Sequence, residues 1–327
     1  MILLHFLPLA LAFGDPGYGD VDRDGHPSWD ERDLHLWTNA ARVDPEAFEA
    51  DYREGGCSVE DFADDERVPA LPLAYSRPLN EAARAHSQDM REHSMLDHNS
   101  SDGTSFGDRV GEYYGESQFI GENIAQGYGS AYNAVLRGWM CSESGHRGNI
   151  MDPGYLEMGT GVSVDYYTQD FAGGAADTRG GLYMGVHEPE GPRGGESVTF
   201  FVDWHGTAPE WIAVVHEGVE IEMVLRWGTE ESGIYAAEVV LPEDSSCTEY
   251  YYRAIDADSV QSVFPETGSY RFGAGCAPED TWIDRQLFGP DSEKPGLNCG
   301  CASADPAGGA LAALLALAGL SRRRQAA

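Results

Sequence analysis

Three short stretches of the chain carry side chains that could do acid–base or metal chemistry. They are LDHNSSDG with His98, GENIA with Glu122, and WMCSESGHRGNIMDP, residues 139–153, with His146. Two imidazoles and a carboxylate from separate segments form the ligand set of an open metal site, or the acid–base set of a hydrolase. The sequence therefore supports two functional hypotheses for one group of residues.

A third hypothesis needs no ligand, because His98, Glu122 and His146 could simply hydrogen-bond one another and tie their loops to a sheet. Against a hydrolase, the chain has no nucleophile elbow, no HExxH and no Cys/His dyad. Ser142 and Ser144 precede His146, but helix-end capping explains serines there without catalysis. Binding is thus favoured over catalysis, with Glu122 as the base if the site is hydrolytic.

A second group of possible ligands lies before the first predicted helix, in DVDRDGHPSWDE. Its members match positions 1, 3, 5, 9 and 12 of an EF-hand calcium loop: Asp20, Asp22, Asp24, Ser28 and Glu31. Pro27 stands at position 8, where a hydrophobic residue is usual, and the Gly/Pro run upstream prevents an entering helix. Ser28 and Glu31 also form a Ser-x-x-Glu capping box, so a helix start competes with Ca²⁺ as the explanation.

Hydrophobic periodicity indicates the elements that must position these residues. It predicts a helix from Trp29 to just before Pro45, a second over 77–95 and a third over 130–140. The segment around His98 up to residue 110 is typical of a polar loop. After Pro153 the pattern alternates, which predicts three strands within 158–187. Helices first and strands later favour an α+β fold over a βαβ array.

The stretch GVHEPEGPRGG has the composition of a linker, and short alternating runs follow it. Six or seven such runs, separated by Gly, Pro and acidic turns, predict a small β-sandwich of immunoglobulin or fibronectin-III type over 195–276. Trp204, Trp211 and Trp227 could form a sugar-stacking platform in it. Core packing is the more ordinary use of aromatics in alternating strands.

Length and composition limit the classes of function. A chain of 327 residues favours two domains plus tails, and its formal net charge of −34 repels nucleic acids and anionic membranes. Six cysteines fit an oxidising compartment. The simplest pairing is Cys57–Cys141 and Cys247–Cys276, one of three connectivities that four cysteines allow.

Both ends of the chain have features of export signals. Residues 1–14 combine an apolar stretch with small residues, as a secretory signal does. The other end, CGCASADPAGGALAALLALAGLSRRRQAA, joins Cys299 and Cys301 to 14 apolar residues and three arginines. Fourteen residues make about 21 Å of helix, less than the ~30 Å hydrocarbon core. This favours a processing signal over a permanent anchor.

Several ordered motifs resemble the CAP superfamily (cysteine-rich secretory proteins, antigen 5 and pathogenesis-related 1) in its bacterial SCP-like form. They are LNEAARAHSQDM, the HNSSDG loop with Arg109 after it, GENIA, WMCSESGHRGNIM, GTGVSV and YTQDFAG. The resemblance extends over about 28–187. It implies an α-β-α sandwich, with helices on both faces of a small antiparallel sheet.

The resemblance also implies a cleft lined by two histidines and two carboxylates, which in some members hold a divalent metal such as Zn²⁺. By matching motif these are His98, His146 and Glu122. The position expected for the second carboxylate is Ser142, and Glu143 beside it is the substitute, one helical turn from His146. Several members bind lipids or sterols, so the expected partner is a small ligand or a lipid.

The C-terminal end resembles the myxobacterial sorting signal, since a Cys-Gly-Cys element, a short apolar helix and an arginine cluster follow in order. The resemblance implies cleavage near Cys299 or Cys301 by a sorting protease of the cell envelope, with the rest at the surface or released.

The predicted order is a signal peptide (1–14), an acidic segment (15–27), a CAP domain (28–187), a linker (188–194), a β-sandwich (195–276), an acidic linker (277–298) and a sorting tail (299–327).

Overall fold

The structure, a computed structural model, describes residues 26–51, 57–115, 119–143, 145–173, 180–265, 268–276 and 282–283. All of these belong to one compact unit, residues 1–287. The predicted signal peptide and the sorting tail with Cys299 and Cys301 lie outside the described residues, as do Asp20, Asp22, Asp24 and Ser144.

Helices and strands both contribute, so the fold is mixed. The helices are α1 (Trp29–Val43), α2 (Pro45–Asp51), α3 (Arg77–His93), α4 (Phe106–Tyr114), α5 (Ala131–Asn133) and α6 (His146–Met151), with 3₁₀ turns at Val59–Asp61 and Asp65–Arg67 and a π-helix at Ala134–Trp139. The early strands are β1 (Ala74–Tyr75), β2 (Ile120–Gln126), β3 (Glu157–Ser163), β4 (Tyr166–Ala172) and β5 (Gly181–Glu188). The later strands are β6 (Ser197–His205), β7 (Pro209–His216), β8 (Val219–Glu222), β9 (Val224–Gly228), β10 (Ser232–Val240), β11 (Thr248–Asp256), β12 (Gln261–Phe264), β13 (Ser269–Phe272) and β14 (Trp282–Ile283). Within the described residues, no helix is long and apolar enough to cross a bilayer.

The start of α1 has the predicted capping box. Ser28 Oγ accepts from the backbone N of Glu31, and Ser28 N donates to Glu31 Oε2 at 2.8 Å. Glu31 also accepts from Arg84 Nε at 3.0 Å and lies 3.1 Å from His26 Nδ1. The side chains proposed for the last two calcium positions therefore act in the first turn of α1, and calcium binding stays a prediction.

The first sheet has the order β1-β3-β4-β2, with α1 and α3 on opposite faces. Gly159 and Gly161 of β3 face α3, and a Cβ on Gly159 would lie only 2.0 Å from Asn80 N. Thr160 between them points to α1, where its Oγ1 donates to Glu31 O at 2.8 Å. Helices on both faces agree with the family resemblance. The sheet is not purely antiparallel, however, because β1 runs parallel to β3.

Two predicted segments differ from the structure. The helix predicted over 130–140 is one short turn followed by a π-helix, in which Met140 N donates to Val135 O at 2.8 Å. The wider turn lets Trp139 point inward, where its Nε1 donates to Ile124 O at 3.1 Å. The predicted polar loop before residue 110 contains α4, which is capped at Ser105. The sequence pattern did not indicate this helix, because α4 begins among Ser, Gly and Asp residues, which are typical of loops.

The later strands form two sheets, with the orders β5-β6-β10-β9 and β14-β13-β11-β7-β8, and β12 pairs with β11. The sheets share one core, to which Phe200 and Trp204 contribute from the first and Tyr250 and Phe264 from the second. The run VEIEMVLRW, predicted as one strand, is two strands in different sheets. The buried Met223 marks the change, since its N donates to Ile212 O at 2.9 Å.

A second hydrophobic core lies between the early helices and the later strands. Trp37 of α1 lies 6.1 Å from Trp227 of β9 and 5.8 Å from Phe201 of β6, between ring centroids. Phe48 of α2 lies 5.9 Å from the Trp227 ring. All four are buried in one cluster. Moreover, β5 hydrogen-bonds to β6 and not to the first sheet. The early helices therefore pack on the β5-β6-β10-β9 sheet.

A buried cation, Arg32 of α1, connects the same two parts. Its Nη1 donates to Gly185 O at 3.0 Å and to Tyr250 Oη at 2.9 Å, and its guanidinium lies 3.7 Å from the Tyr270 ring. The Tyr250 hydroxyl then donates to His187 Nδ1 at 2.9 Å. This chain of bonds requires a neutral His187.

The buried imidazole of His187 should make the stability of the protein depend on pH. Burial, together with the charge of Arg32, lowers the pKa of His187 from 6.5 to about 3. Between those values the unfolded chain binds the extra proton, so stability falls as the pH is lowered through that window. We expect His187→Gln to reduce the loss between pH 7 and pH 5 by about 2 kcal/mol, measured by urea denaturation. His93→Gln, at an exposed histidine, serves as the control, and an equal pH slope in both variants would contradict the assignment.

Candidate functional site

Glu122, the third residue of β2, is the centre of a buried polar cluster. His98 Nδ1 donates to its Oε1 at 2.7 Å, and Arg109 Nη2 donates to its Oε2. His86 Nε2 lies 4.0 Å from the same Oε2. The Glu122 carboxylate is only 1% exposed and both of its oxygens already accept hydrogen bonds. Glu122 therefore supports the histidine next to it.

The loop that carries His98 is held by the helices on either side of it. Arg109 of α4 donates through Nη1 to His98 O and to Ser100 Oγ, both at 3.1 Å. His86 of α3 donates through Nε2 to Asp97 O at 2.9 Å. The His98 side chain itself is 55% exposed, and the hydrogen bond to Glu122 raises its pKa. It is therefore an accessible imidazole backed by a buried carboxylate.

His146 begins α6, directly after Gly145, whose φ of 103° favours glycine. Asn123 Nδ2 donates to His146 O at 3.1 Å, which fastens the start of α6 to β2. Burial, and next the charge of His98, lower the pKa of His146. The His146 ring is therefore close enough to His98 for the charge of His98 to act on it.

Arg147, the residue after His146, holds this segment against residues 57–67. Its Nε donates to Glu66 at 2.7 Å and its Nη1 to Met140 O at 2.9 Å, while its guanidinium lies 4.2 Å from the Phe62 ring. The predicted disulfide Cys57–Cys141 is present beside these contacts, and Cys247–Cys276 is present in the later strands. The 57–67 segment thus positions the residues that lead to His146.

Glu143, the predicted fourth member, is exposed. Among the residues that the structure describes, no three His, Cys, Asp or Glu side chains converge as ligands of one metal ion. Glu122 lies behind the His98 imidazole and accepts hydrogen bonds from His98 and Arg109. Of the three tryptophans considered for sugar stacking, Trp204 and Trp227 are buried in cores and Trp211 is half-buried.

A further acid, Asp170 of β4, was missed by the sequence analysis. It pairs with Glu122 across the β2–β4 ladder and is fully buried. Within the described chain neither of its oxygens has a hydrogen-bond partner. Burial raises the pKa of Asp170 well above its usual value, and the charge of Glu122 adds to the shift. A signal was available, since an acid inside the otherwise uncharged strand YTQDFA is unusual.

The family described as the cysteine-rich secretory protein family, CAP, matches residues 38–174. Residues 38–174 form a CAP domain. The domain contains His98, Glu122, His146 and Asp170, together with Arg109. Every residue of the polar cluster is therefore part of the CAP domain.

Two relatives of the CAP domain come from Bacillus subtilis (strain 168). An uncharacterized membrane protein, YlbC, is 40% identical over 99 residues, which are 30% of this chain and 28% of the relative. An uncharacterized protein, YkwD, is 35% identical over 113 residues, 34% of this chain and 43% of the relative. The chain thus spans less than half the length of either relative.

The matches to solved structures each cover about a third of this chain. An extracellular protein containing an SCP domain from Bacillus anthracis is 34% identical, with a TM-score of 0.30 over 32% of this chain and 34% of that one. A cysteine-rich secretory protein from Staphylococcus aureus is 22% identical, with a TM-score of 0.26 over 32% and 33%. The family match carries the assignment of the CAP domain.

Proposed function

We propose that the CAP domain is a binding module whose cleft holds a divalent cation or a small ligand, such as a lipid, through the imidazoles of His98 and His146. The observation that carries the proposal is the 2.7 Å bond from His98 Nδ1 to Glu122. A buried carboxylate behind an accessible imidazole fixes the ring and leaves Nε2 for a ligand. Metal-bound histidines commonly have such a carboxylate partner.

A cation such as Zn²⁺ would be held by imidazole nitrogens. His98 and His146 would supply two nitrogen ligands, and Glu122 would support His98 without being a ligand. Two protein ligands are fewer than the three of catalytic zinc sites, so water or the bound ligand would complete the coordination and affinity would be modest. When bound, the ion would act as a Lewis acid toward an oxygen of the ligand.

The first test is zinc uptake by the full chain, followed by calorimetry. We expect His98→Ala and His146→Ala each to abolish uptake, because one imidazole cannot hold the ion alone. His93→Ala removes an exposed histidine of α3 that lies 3.0 Å from Asp89, and it should bind zinc as the unmodified chain does. Equal uptake in all three variants would reject the cleft as the site. No uptake by the unmodified chain would favour a purely structural cluster.

A second candidate is a hydrolase acting on peptide or cell-wall substrates, and the same pair of residues favours it. An imidazole oriented by a carboxylate is the arrangement of a general base, and the hydrogen bond to Glu122 raises the pKa of His98. Cleavage of peptides or peptidoglycan that disappears in Glu122→Gln would support this function. Cleavage that persists would point to another site.

We further propose that the protein acts outside the cytoplasm, at the cell surface or after release. The two disulfides support this location, because such bonds persist in oxidising compartments. The later sheets, which share one core, support the proposal of an immunoglobulin- or fibronectin-III-like β-sandwich. Processing near Cys299 or Cys301 remains a prediction from the sequence.

A further inference from the structure

We propose that Asp170 is a positioning residue of the cleft, which stays protonated and donates its O–H to Glu122. Asp170 stands directly opposite Glu122 in the β2–β4 ladder, and the two residues are 0% and 5% exposed. In the described part of the chain, no N–H or O–H group reaches either oxygen of Asp170. The facing carboxylate is then the acceptor that a protonated Asp170 can use.

The nearest N–H donors that make hydrogen bonds have acceptors other than Asp170, and the unpartnered Arg109 Nε does not reach it either. The Arg109 guanidinium of α4 donates to Glu122, His98 O and Ser100. His86 of α3 donates its Nε2–H to Asp97 O. An ionised Asp170 would therefore add a second negative charge to the buried pair. Unlike Glu122, it would have no hydrogen-bond donor, which is strongly unfavourable. One proton shared between the two acids removes that cost, as in other carboxyl pairs.

The groups around Asp170 are consistent with a single negative charge in the pair. Glu122 faces it from β2. The charged or titratable groups next to Glu122 are Arg109 of α4, His86 of α3 and His98. On the other side, β3 presents Gly159, which has no side chain. One cation and one carboxylate are then balanced, and Asp170 adds a hydrogen bond without a charge.

The consequence for the cleft rests on the proposed function. A donor from Asp170 fixes the rotamer of the Glu122 side chain, so Oε1 stays in place for His98 Nδ1. The His98 ring is then held with its Nε2 available to the ligand. Asp170 would thus position the histidine without touching the ligand.

The direct test is infrared spectroscopy of the full chain with ¹³C-labelled aspartate at pH 7. We expect a carboxylic-acid C=O band that Asp170→Asn removes. Because Asp33 and Asp203 are also buried acids, the difference spectrum between the two proteins assigns the band. A difference spectrum that shows only a lost carboxylate band overturns the proposal.

An NMR titration of His98 supplies a readout that a structural role would not move. Asp170→Asn replaces one neutral donor by another, so the His98 midpoint should shift by less than about 0.3 units, whereas loss of an adjacent charge should lower it by about one unit or more. Asp97→Asn is the positive control, since the charge of the exposed Asp97 raises the pKa of His98. A drop with Asp170→Asn as large as the control's contradicts the proposal. Neither measurement uses a ligand, so a failure of zinc uptake leaves this test intact.

Discussion

Trp227→Ala should lower the free energy of unfolding by about 3–5 kcal/mol, the cost of deleting a large buried aromatic side chain. The Trp227 ring stacks on Phe201 at 5.9 Å and contacts Trp37 and Phe48 edge-on at 6.1 and 5.9 Å. It is 1% exposed. Because two of those rings belong to α1 and α2, the cavity would open between the early helices and the later sheet. Urea denaturation followed by circular dichroism measures the change.

The cooperativity of that transition matters as much as its midpoint. Since one core joins both parts, helix and strand signals should be lost together in the variant. Val224→Ala is the matched control, because Val224 lies on the same strand and is 68% exposed; it should change stability by less than about 0.5 kcal/mol. A variant in which only the later strands melt, while the CAP domain stays folded, would show that the two parts are independent.

This shared core is what the sequence could not reveal. Alternation in the run that contains Trp227 indicates which side chains are buried, and helical spacing indicates that Trp37 faces inward. Neither pattern says that the two rings meet across 190 positions of the chain. The same limit hid the end of VEIEMVLRW, because a strand that changes sheets at Met223 keeps its alternating composition on both sides.

The residues of the candidate site were easier to select from the sequence than the packing partners, since their motifs are local in sequence. His98, Glu122 and His146 were each found from a short motif. The partners that give them their chemistry are distant: Arg109 comes from a helix predicted as loop, and Asp170 meets Glu122 only through the register of β2 with β4. Glu143 was chosen by helical spacing from His146, but the chain turns at Cys141 and Gly145 before α6 begins.

Arg109→Met should cost about 3–5 kcal/mol of stability, because it leaves a buried charge without its partner. Arg109 is 5% exposed, and its Nη2 bonds to a Glu122 carboxylate that is 1% exposed. The loss would also free the loop, since the same guanidinium donates to His98 O and Ser100 Oγ at 3.1 Å. We therefore expect zinc uptake to fail with Arg109→Met even though no proposed ligand is changed.

A double variant separates the lost charge pair from the lost packing. In Arg109→Met/Glu122→Gln both charges are gone, so the double variant should be more stable than the sum of the single losses predicts, by about 1–3 kcal/mol. Arg77→Met is the control for removing an arginine, because the pair Arg77–Glu81 lies at the surface with 32% and 38% exposure and contributes about 0.5 kcal/mol or less. If the two losses are additive, Arg109 stabilises the protein through its bonds to His98 O and Ser100 Oγ and not through Glu122. The carboxylate of Glu122 would then be held by His98 and Asp170, which makes Asp170→Ala, and not Arg109→Met, the variant that displaces it.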